Sequence, residues 1–245
     1  SIELIKFIQR NVFLTFNGEI YQQIQGTAMG KQHAPPYANL VIAYLIINKL
    51  YPKIESKYGS FCRNHVEQSL KLYLDDGFII LNESIISAEN LLSELNDMNR
   101  NIKFTMDTSK EEIPFLDVLI KLKQDLYSSN KYNVTTDIYH KPTDSFNYFP
   151  FQSCAPGHIA RNIPYNLARR IVRIVSNKTL RNVRFSELAQ RLKIRGYPDN
   201  LINDSIKMAK QLDRDILLND VKREKNNDTD HITLVIDHNP NLVDP

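Results

Sequence analysis

Leu70-Lys71-Leu72-Tyr73-Leu74-Asp75-Asp76-Gly77-Phe78-Ile79-Ile80-Leu81 sets two adjacent aspartates between two apolar runs. The runs read as strands and the middle as a tight turn, which puts both carboxylates at the tip of a β-hairpin. Adjacent aspartates repel each other and resist burial, so a pair placed at a turn in an apolar setting usually has a cation to hold it there. Asp75-Asp76-Gly77 is also an ordinary turn sequence, and the residues alone leave both readings open.

Upstream, Val12 to Phe16 and Glu19 to Ile24 flank Asn17-Gly18, a dipeptide that tolerates the positive φ angles of a primed turn; a second hairpin is expected there. The small-residue loop Gln25 to Gly30 follows, then Ala34-Pro35-Pro36 and an apolar run to Leu50, read as a buried helix from about Pro35 to Leu50. Downstream, Ile85, Ala88, Leu91, Leu92 and Leu95 have helical spacing within Ile85 to Met98. Ile102 to Met106, Ile113 to Ile120 and Val134 to Tyr139 read as three strands, the last two separated by a turn-rich stretch from Tyr127 to Tyr132.

Past His140-Lys141-Pro142-Thr143-Asp144 the pattern turns helical. Pro164 opens a helix with Leu167, Ile171, Ile174 and Val175 as its apolar stripe, which leaves Arg169, Arg170 and Arg173 largely on the remaining surface. Phe185 to Ile194 is a second helix, ended at Arg195-Gly196-Tyr197-Pro198. A third, capped by Asp199 or Asn200, runs through Ile202, Ile206, Ala209, Leu212 and Ile216. Asn219 to Asp230 reads as a polar linker and Ile232 to Ile236 as a last strand.

With 42% hydrophobic and 24% charged residues over 245 positions, the composition is that of an ordinary globular chain able to bury a core. Cys62 and Cys154 belong to no metal-binding spacing and read as free thiols in a reducing compartment. No apolar run reaches the ~18 residues that cross a bilayer, so neither export nor membrane anchoring is expected. The net charge of +3 is unevenly spread: 15 Lys/Arg face 17 Asp/Glu over 1–150, 13 face 5 over 151–219, and 3 face 6 over 220–245. A basic block beside a neutral-to-acidic one fits a phosphate-binding lobe next to a catalytic lobe, or simply long side chains solvating helices.

Several ordered motifs carry a more specific resemblance. Tyr21-Gln22-Gln23-Ile24-Gln25-Gly26-Thr27-Ala28-Met29-Gly30, Ala34-Pro35-Pro36-Tyr37-Ala38-Asn39-Leu40 and Tyr73-Leu74-Asp75-Asp76 stand in the order found in Penelope-like reverse transcriptases. Ile102-Lys103-Phe104-Thr105, Ile113-Pro114-Phe115-Leu116-Asp117, Ile138 to Asp144 and Arg195-Gly196-Tyr197-Pro198 continue it, and the resemblance spans about residues 11 to 218. It implies an α+β fold: an incomplete right-hand polymerase palm of two β-hairpins plus helices over 1–144, a helical thumb over 145–219, and a linker with a terminal strand over 220–245.

The resemblance implies an RNA-directed DNA polymerase of a retrotransposable element, intracellular and nuclear. Its partners would be an RNA template, a DNA primer duplex and deoxynucleotides, with Mg²⁺ or Mn²⁺ as cofactor. Asp75 and Asp76 would be metal-site carboxylates, Tyr73 would lie near the primer end, and Gln25 and Gly26 along template and nucleotide. Arg169, Arg170, Arg173, Arg181 and Arg184 would face phosphates. Lys103 is either a proton donor to pyrophosphate or a lysine solvating a strand end. Asp117 would be a structural carboxylate, Lys141 and Asp144 a pair or cap, and His158 structural.

Two departures stand out. Ser153-Cys154-Ala155-Pro156 replaces the family's Ser-Cys-His-Pro, and Glu3 is the sole acid in Ser1 to Phe16, where an aspartate-bearing palm strand would precede the first hairpin. The expectation is therefore an inactive fragment, poorly soluble because its palm strands lack a neighbour. From another class, the helices at 185–194 and 199–218 read as a helix-turn-helix, and the chain as a non-catalytic nucleic-acid-binding remnant. An unrelated metal phosphodiesterase has no His-rich ligand cluster to support it.

Overall fold

The computed structural model describes residues 2–28, 30–125 and 128–219. The fold is mixed α+β, with helices and small antiparallel sheets, in two compact units that divide between Thr108 and Ser109. No helix among the described residues is long and apolar enough to cross a membrane.

The first unit opens with helix α1 (Ile2–Arg10). The hairpin β1 (Phe13–Phe16) and β2 (Glu19–Gln22) turns on Asn17 (φ 50°) and Gly18 (φ 81°), the two positive angles that a primed turn requires. The expected buried helix is longer and more exposed. It runs as α2 (Ala34–Leu45), a π turn (Ile46–Leu50) and α3 (Tyr51–Tyr58), with Leu40 and Tyr44 well exposed on its first half. Pro52 accounts for the π turn: it has no N–H and its ring crowds the carbonyl one turn back, while the Tyr51 N–H reaches Ile46 O, five residues behind.

Helix α4 (Ser60–Ser69) leads into the hairpin β3 (Lys71–Tyr73) and β4 (Asp76–Phe78), whose second strand stops three residues before the expected Leu81. Helix α5 (Ala88–Asp97) starts later than the periodicity implied, because the Ser87 hydroxyl accepts the Asn90 N–H at 3.2 Å and caps it there. Ile102 to Met106 belongs to no strand; Asn96 binds both the N–H and the carbonyl of Phe104. Leu50, Ile54, Val66 and Leu91 are fully buried at the centre of the core, worth ~1.5–3 kcal/mol each on transfer from water.

That core also encloses a charge. Glu94 is 2% exposed, with Lys53 Nζ 2.8 Å from Oε2 and Lys57 Nζ 2.7 Å from Oε1. Burial raises the carboxyl's pKa, and the two ammonium groups more than reverse this, leaving it below the usual range.

In the second unit, the single strand expected at 113–120 is two, β5 (Glu112–Phe115) and β6 (Val118–Asp125), joined at Leu116-Asp117. β7 (Ser128–Ile138) completes an antiparallel sheet in the order β5-β6-β7 and occupies positions 128–132, where a turn was expected. Helix α6 (Gly157–Ile174) begins seven residues before Pro164 and runs through it, with Pro164 and Ala160 buried. Helix α7 (Lys178–Ile194) begins well before Phe185 because the Asn177 side chain accepts the N–H groups of Thr179 and Leu180. Gly196 (φ 81°) closes α7 as expected.

The expected third helix is two, α8 (Asp199–Lys210) and α9 (Arg214–Leu218), since Asp213 caps a fresh start. Pro198, rather than Asp199 or Asn200, is the α8 N-cap. Ala168, Val175, Leu192, Ile202 and Ala209 are fully buried where α6, α7 and α8 meet. The polar linker to Asp230 lies outside the described residues after Asn219, as does the strand expected at 232–236.

Glu94→Gln is expected to lower stability by ~1–3 kcal/mol at neutral pH, because it strips the lysines of their buried counter-charge. The wild-type carboxylate's folded pKa is depressed, so its contribution is complete above its unfolded value and is lost as pH falls through the folded one. Urea melts of both proteins at neutral and acid pH should therefore converge on acidification.

Candidate functional site

The aspartate hairpin closes with Tyr73 opposite Asp76, so the two-residue turn is Leu74-Asp75 and Asp76 stands on β4. Leu74 carries the left-handed backbone (φ 53°), at a cost of ~1–2 kcal/mol for a residue with a branched side chain. Gly77 does not make the turn. It lies in β4 opposite Leu72, where an added Cβ would come within 3.3 Å of Leu72 Cδ2. An ordinary turn places its permissive residues at the bend, as Asn17-Gly18 does. Here the bend is occupied by Leu74 and an acid instead.

The same turn recurs at Leu116-Asp117. Phe115 faces Val118 across Leu116-Asp117, and Leu116 has φ 56°. There the aspartate is neutralised: Arg170 Nε lies 2.9 Å from Asp117 Oδ2, and Nη2 bonds the same oxygen. Asp75 and Asp76 are exposed, and neither has a protein cation as partner among the described residues. Two adjacent carboxylates without a counter-charge form a cation-seeking arrangement. Among the described residues they belong to no group of three or more metal-binding side chains.

Other expected residues fall at separate places. Tyr73 is 57% exposed beside the turn. Gln25 and Gly26 form an exposed bend, with Gly26 at φ 83° and the Gln23 side chain donating to Gln25 O at 2.9 Å. Lys103 Nζ donates to the Asn96 carbonyl at 3.2 Å, which ties it to the end of α5 as a structural lysine.

The arginines divide into two sets. Arg181 Nε donates to Val175 O at 2.7 Å and Nη2 to Ser176 O at 3.3 Å, so its guanidinium closes the C-terminal end of α6 instead of facing outward. Arg184 is committed too: Nη2 lies 2.6 Å from Asp137 Oδ2, and Nη1 is 2.9 Å from both oxygens of Glu187. Asp137 is buried, and an unpaired carboxylate there would be costly. Neither arginine faces phosphate as expected, because each is spent on an internal partner.

Arg169, Arg170 and Arg173 do lie on exposed positions of α6, together with Arg161, Asn162 and Asn166. The 18 residues of α6 include four arginines and no acid. Helix α8 contrasts with it. Its exposed positions include Asp199 and Asp204 against Lys207 and Lys210, and Asp199 is paired with Lys193 at 2.9 Å.

Asp137, Glu187 and Arg191 were not anticipated. Arg191 stacks 3.5 Å above the Phe146 ring and approaches His140 Nε2 at 3.3 Å, while His140 Nδ1 is 3.2 Å from Asp144. Asp144 thus caps its loop, accepting the Phe146 N–H at 2.8 Å. No local pattern could have paired Asp137 with Arg184, 47 residues away.

Residues 147–207 match the family model of the animal helix-turn-helix domain, about a quarter of the chain, taking in α6, α7 and most of α8. No curated protein matches the chain, and no solved structure does. The helix-turn-helix reading of this region is thereby supported, with α7 and α8 joined across Arg195 to Pro198.

Arg184→Ala is expected to destabilise the second unit by ~3 kcal/mol, leaving Asp137 buried without its partner. Burial raises the Asp137 pKa, but the Arg184 hydrogen bonds outweigh it and the net direction is down, so the pair stabilises above the unfolded aspartate value and fades as pH falls below it. Denaturant midpoints at neutral pH and near pH 3 check both statements.

Proposed function

We propose that the chain acts on nucleic acid as the catalytic-hairpin and thumb portion of a Penelope-like reverse transcriptase. The observation that carries this reading is the Leu74-Asp75-Asp76 hairpin, a strained turn presenting two carboxylates with no cation partner among the described residues. The ordered motifs around it and an acid-free basic helix downstream support it. Asp75 and Asp76 would hold Mg²⁺ or Mn²⁺, which when bound supplies Lewis acidity at the transferred phosphate. Tyr73 borders the reacting primer end, and the Gln25-Gly26 bend lies along template and deoxynucleotide. The reaction needs a further aspartate that residues 1–24 do not supply.

A second reading, a non-catalytic helix-turn-helix module, is favoured by the match over 147–207. Both readings place phosphates on α6, through Arg169 and Arg173. Asp199 in the first turn of α8 disfavours the base reading that the second helix of such a motif usually performs. Duplex binding in either case is salt-sensitive and indifferent to sequence.

Replacing Arg169 and Arg173 together by alanine should reduce the salt slope of duplex binding, measured by fluorescence anisotropy. An unchanged slope would remove α6 from the interface. Residues 1–245 alone should show no primer extension with Mg²⁺ or Mn²⁺. When an upstream aspartate-bearing strand is supplied, Asp75→Asn should abolish extension and Asp76→Asn should cost ~10–100-fold, both with duplex binding intact. Near-normal extension by the Asp75 variant would reduce the hairpin to a turn and leave the helix-turn-helix reading.

A further inference from the structure

Asp117 stands at the tip of the β5–β6 turn, and its carbonyl accepts the Tyr139 N–H at 2.9 Å, which anchors the tip to the end of β7. Its side chain reaches Arg170 on α6, where Nε and Nη2 converge on a single carboxylate oxygen. Both side chains remain open to solvent, Arg170 at 50% and Asp117 at 42%, so this pair is not buried for stability. Exposed pairs of this kind contribute ~0–1 kcal/mol to folding. Their effect on a polyanion is another matter. On this helix of four arginines and no acid, Arg170 is occupied by a carboxylate from a different element, at a position reachable from outside.

We infer that Asp117 is a built-in counter-ion that masks Arg170 and weakens the hold of α6 on a nucleic-acid backbone, making the β5–β6 turn part of the binding surface. The inference rests on the α6 reading above. The ligand it concerns is a backbone phosphate. A phosphate approaching α6 meets Arg170 already satisfied along one edge, and beside it a negative charge that repels it. Each cation that neutralises a phosphate adds ~0.9 to the salt slope of binding to B-form DNA, so a masked arginine should be missing from that slope. The exposed Arg173 contributes to the slope that remains. Such a mask suits a protein that must move along a duplex, since it trims affinity without removing the guide for orientation.

The test is anisotropy titration of the full chain with a fluorescein-labelled RNA–DNA hybrid duplex, from about 50 to 200 mM salt. Asp117→Asn should bind about three- to tenfold more tightly at the low end, with a slope steeper by about one and the gain shrinking as salt screens it. Asp117→Glu, which keeps the charge, should behave as wild type. Arg170→Ala should barely change the slope in the wild-type background and should lower it by about one in the Asp117→Asn background. Thermal melts of each variant establish that it folds; if Asp117→Asn does not, the Arg170→Ala slope in the wild-type background decides alone. Unchanged or weaker binding by Asp117→Asn, or a slope loss of one in Arg170→Ala alone, overturns the mask and makes Asp117 a positioning residue. Loss of all dependence on Arg169 and Arg173 would instead defeat the α6 reading itself.

Discussion

A carboxylate buried at Asp137 demands a cation, and Arg184 is the side chain that reaches it. From that requirement much of the second unit follows. The pair fastens the last strand of the sheet to α7, and Thr136 next to it exchanges hydrogen bonds with Ser176 at the end of α6. Strand and both helices are thereby set in one register, with Leu192, Ile202 and Ala168 filling the space between the helices. Since burial makes an unpaired charge far more costly than an exposed one, Arg184 is not available for an external ligand. Arg181, occupied with the carbonyls that end α6, is withheld in the same way. The exposed arginines of this unit include those of α6.

The first unit solves a related problem differently. Glu94 is buried beneath two exposed lysines, so the charge is matched at the surface while the apolar core closes around Leu50, Ile54 and Leu91. The aspartate hairpin of that unit has no such matching. Its twin at Leu116-Asp117 shows what this turn does when a protein cation is in reach, and the comparison gives Asp75 and Asp76 their meaning: a similar strained bend, twice the charge, and no arginine among the described residues. A repulsion the fold leaves unbalanced is a reason to look for an external cation.

Helix-turn-helix architecture and phosphate binding are often taken together, with the second helix as reader. The first turn of α8 carries Asp199, whereas α6 has four arginines and no acid. The helix-turn-helix family match over 147–207 takes in α6 as well as α7 and most of α8.

Local chemistry alone settled the two hairpins, the glycine stop at Gly196, the apolar stripe of α5 and the exposed arginines of α6, because each depends on residues within a few positions of one another. Asn177 and Asp213 were also legible as caps, and the helix starts they direct were missed because hydrophobic spacing was weighed above capping. Other features could not be read that way. The split of 113–120 into two strands turns on Leu116, which has no turn propensity; Pro164 sits inside a helix because packing offsets its lost hydrogen bond. The sequence by itself determined where charge and apolar surface lie along the chain. Only the tertiary structure decided which charges are spent on one another, since Arg184 meets Asp137 across 47 residues and Arg170 meets Asp117 across 53, distances at which no periodicity carries information.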